Sequence, residues 1–358
     1  MRPRLGIYPT PQALNPYGRF DSRRKTLAFI DELSKELLYI KPRLNRQNKL
    51  FEYDAYEYDK GIYVIDVKNI KGHVKGSGDN LLTSYYWSLL FSILRSYGFC
   101  DNMSMSRVVD CYKFATDINI DVIKMVYGTG TTAESFIDYT LISQTGEITP
   151  SVAIGYLSDR TRITVSGTIP SDSSELGLYQ RLDTAGSGNQ NFLFARKIGS
   201  WRANQAIAWY NDYLSPWVRG IGDFMYGFYR NANITMVRID GVSFTARTSN
   251  PGTPGTAYLV ASSDLVSWSP TLIAISNAFS LNNYYVDVSN TRYLRATFFH
   301  GLYSPANNIQ GNTIGLYLPV YDSLGNIQIV CVMVQPLSSP VTLYAGRNNL
   351  IVLRIVAM

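Results

Sequence analysis

No Lys occurs after Lys197 and no Glu after Glu175. Beyond them Arg and Asp carry the charge, and Ser, Thr, Asn, Gly and Tyr fill the polar positions. Such a surface is not one of solvated, charged helices. It suits strand faces and turns, and faces that rest on other subunits, because interface cores are depleted in Lys and Glu. Histidine is scarce too, with only His73 and His300. A Ser-His-Asp relay would need one of them. His73 stands in a loop sequence, Lys71-Gly72-His73-Val74-Lys75-Gly76, and His300 at a strand end, Phe298-Phe299-His300-Gly301; neither accompanies a nucleophile motif. The three cysteines, Cys100, Cys111 and Cys331, lack C-x-x-C spacing. That excludes a zinc ribbon and a disulfide framework and assigns them as buried or idle thiols in a reducing cytosol. No run of about 18 uncharged apolar residues exists, so no membrane-spanning helix is expected. Met1-Arg2-Pro3-Arg4 leads into no apolar segment, so no secretory signal is expected either.

At 358 residues the chain can hold two or three domains, each with its own core. Its 27 Tyr outnumber the other aromatics. Tyr suits half-buried strands and wet interfaces, since the ring packs while the hydroxyl finds a partner. Charge is unevenly placed. Residues 2–49 hold eleven Lys and Arg against four Asp and Glu, a local +7 within a total of +6, so the rest is near neutral. A basic head can meet nucleic acid or an acidic surface; a solvated helix face with a tail is the more ordinary reading of it.

Pro3, Pro9, Pro11 and Pro16 make residues 1–20 an extended tail. Asp21 or Ser22 caps a predicted helix to about Tyr39, with Leu27, Ile30, Leu33, Leu37 and Leu38 on one side and Pro42 as its stop. Tyr56 to Val67 reads as a strand, Leu81 to Tyr97 as a helix closed by Gly98, and Met105 to Lys113 as a short helix. From Val122 the pattern is β. Short aromatic or β-branched runs fall at 122–127, 151–157, 161–169, 192–198, 205–213, 233–239, 256–261, 271–275, 283–288, 292–299, 314–320, 326–335 and 348–357. This predicts a mainly β protein of tandem antiparallel β-sandwich or jelly-roll domains with a smaller α-containing N-terminal region. The expected division is 1–75 as tail, helix, strand and basic anchoring region, 76–225 as a helix and first β-sandwich, and 226–358 as a second β-sandwich. Two matching segments point to repetition. Gly177-Leu178-Tyr179 and Gly315-Leu316-Tyr317 each lead through a polar loop to an apolar run, at 192–196 or 327–332, and then to Ser215-Pro216 or Ser339-Pro340.

Candidate sites are few. Gly128-Thr129-Gly130-Thr131-Thr132 lacks the Gly-Lys-Ser/Thr ending of a phosphate-binding loop, and no helix with a suitable register follows. It reads as turn chemistry, with Gly at positive-φ positions and Thr hydroxyls satisfying the bend. Gly128, Gly130 and Asp138 form the candidate structural turn motif. Glu57 and Asp59, beside Asp54, fall on one face of an alternating strand opposite Tyr56 and Tyr58, which reads as a solvated face more than an acid–base or cation site. Asp264 and Trp268 are candidate glycan contacts: Asp264 would tie its own turn, while Trp268 would stack on a sugar ring or fill the core. No catalytic set, metal or cofactor is expected.

Taken in order, these motifs resemble a recurring domain of structural proteins from phage and archaeal virus virions. The resemblance rests on Val126-Tyr127-Gly128-Thr129-Gly130-Thr131-Thr132-Ala133 with Asp138 and Leu141, then Thr164-Val165-Ser166-Gly167-Thr168-Ile169, Glu175-Leu176-Gly177-Leu178-Tyr179, and Phe192-Leu193-Phe194-Ala195-Arg196. The close of the pattern stands at Ser339-Pro340-Val341-Thr342-Leu343-Tyr344-Ala345-Gly346. The likeness covers 78–225, with a partial second copy at 314–358; the first copy departs at its end, where Leu214-Ser215-Pro216-Trp217 replaces the usual close. Tyr284 to Val288 and Thr291 to Ala296 resemble the last strands of discoidin-like sandwiches. The resemblance implies a non-enzymatic virion subunit of a tail, baseplate, spike or turret, made in the host cytoplasm. Its expected partners are other virion proteins and copies of itself. Two further readings stand beside it: a jelly-roll capsid protein, with nucleic acid met only through the basic N-terminal region, and a host-receptor module binding a surface glycan through Asp264 and Trp268.

Overall fold

The computed structural model describes residues 53–59, 62–72, 74–76, 81–95, 99–100, 111–112, 121–135, 138–184, 188–248, 258–262, 267–272, 278–280, 282–286, 296–303 and 305–357. The strands in chain order are β1 (Tyr53–Asp59), β2 (Ile62–Gly72), β3 (Val74–Gly76), β4 (Leu81–Leu82), β5 (Phe99–Cys100), β6 (Cys111–Tyr112), β7 (Lys124–Gly128), β8 (Gln144–Ile148), β9 (Ser151–Tyr156), β10 (Arg160–Thr168), β11 (Ser173–Thr184), β12 (Gly188–Trp201), β13 (Ala206–Leu214), β14 (Ile234–Val237), β15 (Ser243–Ala246), β16 (Tyr258–Ser262), β17 (Ala278–Ser280), β18 (Asn282–Val286), β19 (Ala296–Tyr303), β20 (Ile309–Tyr321), β21 (Ile327–Leu343) and β22 (Asn348–Ala357). Two helices accompany them, α1 (Ser84–Arg95) and α2 (Arg219–Arg230). The chain is mainly β, as its composition implies.

Pairing gives a five-stranded sheet, β4-β12-β11-β7-β8, and a four-stranded sheet, β3-β13-β10-β9. The later strands follow the same plan. β21-β20-β16-β17 runs in the order of β12-β11-β7-β8, and β22-β19-β18 in the order of β13-β10-β9. One difference lies at the outer end: β3 joins β13 antiparallel, whereas β2 joins β22 parallel and is extended by β1.

The correspondence reaches single residues. Between β11 and β12 the register slips at Leu178/Tyr179, with Leu178 facing Ala195 and Tyr179 facing Leu193, so Phe194 is an extra residue. Between β20 and β21 it slips at Leu316/Tyr317, with Leu316 facing Met333 and Tyr317 facing Cys331, so Val332 is extra. A bulge of this kind releases a residue from the ladder and bends the strand. Each released carbonyl here receives the segment that opens a helix. The Thr83 N–H donates to Phe194 O at 3.0 Å, just before α1, and the Val218 N–H donates to Val332 O at 3.1 Å, just before α2. Leu82 faces Ala195, and Trp217 faces Met333. The matched Gly-Leu-Tyr segments of the sequence are thus matched in pairing too.

One buried cluster gathers Leu178 and Phe194 from the five-stranded sheet, Ile163, Val165 and Trp209 from the four-stranded sheet, and Leu316, Val332 and Met333 from the later strands. α1 adds Tyr86, Leu90 and Ile93, and α2 adds Ile221, Phe224 and Phe228. Each such side chain contributes about 1.5–3 kcal/mol on full burial. Strand alternation sorts the faces: Thr161, Ile163 and Val165 of β10 are buried, while Arg160, Arg162, Thr164 and Ser166 are half-buried.

The structure corrects several expectations. The stretch Met105 to Lys113 is not wholly helical: Cys111 and Tyr112 form β6, paired with β5. The expected strand at 56–67 is a hairpin, and a register shift between Glu57 and Asp59 interrupts its simple alternation. β8 and β15 were not signalled by apolar periodicity. Thr271, expected in a strand, lies in a turn in which the Leu272 N–H donates to Ser269 O at 3.2 Å. The largest omission is α2. Its Gly220, Gly222 and Gly227 argue against a helix by propensity, yet Ile221, Phe224, Met225 and Phe228 follow helical spacing and are buried. The predicted helix to Tyr39 and the basic head lie outside the described residues. No helix among those described is long and apolar enough to cross a membrane.

Candidate functional site

The turn motif assembles around a buried guanidinium. Arg196 lies on β12, opposite Gly177 of β11, and Glu175 lies two residues earlier on β11. Both side chains are 0% exposed. Arg196 Nε donates to Glu175 Oε1 at 2.7 Å, and Nη2 lies 2.6 Å from the same oxygen. Nη1 donates to Asp138 Oδ2 at 2.8 Å and to Ala133 O at 3.2 Å, and Nη2 donates to Thr132 O at 2.9 Å. Four of the five N–H donors of the guanidinium are thereby engaged in hydrogen bonds, and the Glu175 carboxylate lies against the Nη2 side as an ion pair. Glu175 in turn accepts the Ile142 N–H at 2.8 Å and the Ser143 N–H at 3.1 Å. Asp138 closes its own turn by accepting the Ser135 N–H at 2.7 Å. Burial opposes the charge on Arg196, but the Asp138 and Glu175 carboxylates outweigh it and raise its pKa further. The arrangement fastens residues 132–133, 138 and 142–143 onto β11 and β12.

Gly128 and Gly130 serve this clamp through space and not through backbone handedness. Neither has a positive φ, contrary to expectation. A Cβ on Gly128 would overlap Ser143 O, and one on Gly130 would overlap the Glu175 carboxylate. The Thr hydroxyl expectation holds at one position, where Thr129 Oγ1 donates to Ser143 Oγ at 3.1 Å. The Gly-Leu-Tyr motif belongs to the same construction. A Cβ on Gly177 would lie 3.0 Å from Leu141 Cδ2, and the Tyr179 hydroxyl accepts the Leu141 N–H at 3.0 Å and bonds Thr140 Oγ1 at 2.8 Å. The counterpart Tyr317 keeps its place in the pairing but not this role. Its buried hydroxyl has no hydrogen-bond partner among the described residues. Glu175 and Arg196 are the buried pair at the centre of the clamp, and in the sequence they stand only as members of two separate motifs. Their signal was a charged side chain inside each of two apolar, neighbouring strand sequences.

A second polar cluster lies where α2 meets the four-stranded sheet. The Tyr156 hydroxyl donates to Asp223 Oδ1, and Arg219 Nε donates to Asp223 Oδ2 at 2.8 Å. The Arg219 guanidinium sits 4.8 Å from the Tyr156 ring centroid. Burial lifts the Asp223 pKa, and Tyr156 and Arg219 offset this only in part. The folded value therefore lies above the unfolded value of about 3.9. Stability from this group is complete below the unfolded value and is lost as pH rises through the folded one. Asp223→Asn removes the titration. Urea unfolding across the acid range should show the advantage of wild type over Asp223→Asn shrinking as pH rises, by no more than about 1.4 kcal/mol per pH unit. A difference that does not change with pH would refute the assignment.

A third cluster is wholly internal. The Tyr86 hydroxyl donates to the Tyr213 hydroxyl at 2.8 Å, and Asn211 Nδ2 donates to the Tyr229 hydroxyl at 2.7 Å. Burial drives all three phenol pKa values up, so they stay protonated and tie α1, β13 and α2 together.

Of the candidate glycan contacts, Asp264 lies outside the described residues. Trp268 is partly buried against Val218, Tyr317, Cys331 and Val334, and its indole N–H donates to Trp217 O at 3.0 Å. His73 lies outside the described residues, and His300 falls within β19. Cys331 is buried, which pushes its thiol pKa up. Among the described residues no group of three or more His, Cys, Asp or Glu is placed to hold a metal ion. No protein-family model matches the chain, and no curated protein or solved structure matches it.

Proposed function

We propose that this chain is a non-enzymatic structural subunit of a virion, in a tail, baseplate, spike or turret, built from tandem β-sandwiches that assemble through their surfaces. The observation that carries the reading is the convergence of Gly130, Asp138, Glu175 and Arg196. The motif residues that resemble those of virion proteins form one buried clamp that holds a loop to a sheet. A buried charge set spent entirely on fixing backbone suits a scaffold.

The sandwich reading draws on the shared core. The five-stranded and four-stranded sheets both bury side chains in one cluster, as two facing layers do. The tandem reading draws on the repeated strand order and on the paired bulges at Phe194 and Val332. The shortage of Lys and Glu over the later strands suits surfaces covered by neighbouring subunits.

Immunogold labelling of purified virus particles, combined with mass spectrometry of the same particles, tests the proposal. The expected result is the chain present in stoichiometric amount and label confined to one structural feature. A chain abundant in infected cells but absent from purified particles would overturn it.

A further inference from the structure

The segment 144–156 supplies one edge to each of two sheets. β8 ends the five-stranded sheet, β9 ends the four-stranded sheet, and Thr149 and Pro150 join them. The outer edge of β9 pairs with no strand among the described residues. A lasting monomer protects such an edge with Lys, Pro, a bulge or a charge. β9 reads Ser-Val-Ala-Ile-Gly-Tyr, with none of these residues, and its register against β10 runs without a shift from Ser151 to Tyr156.

Exposed apolar side chains flank it. Tyr139 and Ile142 lead into the segment and Tyr156 and Leu157 lead out of it, and all four are exposed. They are four of the seven large hydrophobic side chains exposed among the described residues. α2 braces the strand from within, because Asp223 accepts the Tyr156 hydroxyl. The edge is therefore held ready, with little ordering left to be done on binding.

We propose that β9 is an assembly edge and that its occupant is the β9 of a second copy of this chain. This rests on the virion-subunit reading and names the contact that reading leaves open. The strand has no charge to repel its own image. The charges nearest in sequence and pairing are Glu147, Asp159 and Arg162, the last facing Gly155 from β10 and already paired with Asp212, its Nε donating to Oδ1 at 2.6 Å. A two-fold axis at Ala153 pairs the strands antiparallel and joins two four-stranded sheets into one. It sets exposed Ala153 against its own copy and Ser151 against Gly155, so small side chains meet on the open face. Main-chain hydrogen bonds then supply the affinity, as in strand addition generally.

Light scattering of the full chain over a dilution series tests this with Ala153→Lys and Ala153→Glu. Each variant alone should weaken self-association at least tenfold, and an equimolar mixture should restore it, since opposite charges then face each other. Restoration separates a contact from a folding defect. If either variant folds poorly, hydrogen exchange of wild type decides instead: amides in 151–156 should be protected at high concentration and exposed on dilution. Assembly that survives both substitutions overturns the edge while leaving the virion reading intact. So does exchange at 151–156 that ignores concentration, or a wild type that stays monomeric throughout. The virion reading itself fails only through absence from particles.

Discussion

Replacing Arg196 with methionine is expected to cost about 3–5 kcal/mol of folding stability, the loss typical when one partner leaves a buried ion pair. The reason is what remains. Glu175 is as fully buried as Arg196 and would be left with only the Ile142 and Ser143 N–H groups to answer it. The carbonyls of Thr132 and Ala133 would lose their donors at the same time. Arg196→Lys should recover little, because an ammonium has three donors in a compact head and cannot span Glu175, Asp138 and two carbonyls as the planar fork does. Arg196→Met combined with Glu175→Leu should regain part of the loss by removing the stranded charge. It cannot regain all of it, since the 142–143 backbone donors would then lack an acceptor. Urea unfolding of the four proteins measures this, and hydrogen exchange in 129–143 should rise most in the single Met variant. A loss below about 1 kcal/mol, the level of an exposed pair, would refute the clamp.

Much of this fold is legible in the sequence where one face of a strand is buried and the other is not. β10 and β13 show this: period-2 patterns in 160–168 and 206–214 state both the strand and its inward face. The matching register slips were legible from six residues, Gly-Leu-Tyr twice, because the bulge at the Leu–Tyr step constrains the residues around it in both places. β8 was not legible. Gln-Thr-Gly-Glu-Ile lies at a sheet edge with mostly exposed side chains, so burial imposes no pattern on it. The clamp was half legible. Order and spacing brought out Gly130, Asp138, Glu175 and Arg196 as pieces of motifs, but a loop of Gly and Thr is ordinary turn chemistry by composition. Its glycines differ from turn glycines only in what lies beside them, Ser143 O and the Glu175 carboxylate, and that is a tertiary fact. α2 was hidden for the same reason.

Gly220→Ala makes the point measurable, with an expected net loss of about 3 kcal/mol, the upper end of the usual cost of overpacking. In an exposed helix the same change gains up to about 1 kcal/mol, because Ala gives up less backbone freedom on folding. Here a Cβ would overlap Cys331 O and lie 2.5 Å from Val330 Cγ1. Retreat is blocked on both sides. The Val218 N–H is bonded to Val332 O at 3.1 Å and the Val334 N–H to Pro216 O at 3.0 Å, so the start of α2 is pinned to β21. Gly155→Ala is the control. A Cβ there meets nothing within 4 Å, and thermal unfolding should place that variant at or slightly above wild type. If Gly220→Ala matched Gly155→Ala, α2 would not lie against β21 as described. The pairing correspondence sharpens the expectation. The residue of α1 equivalent to Gly220 is Tyr85, a large side chain in the same register relative to its bulge. The two helices therefore enter alike and seat differently. At Gly220 the backbone of α2 leaves no room for a side chain beside Cys331 O, where α1 carries Tyr85.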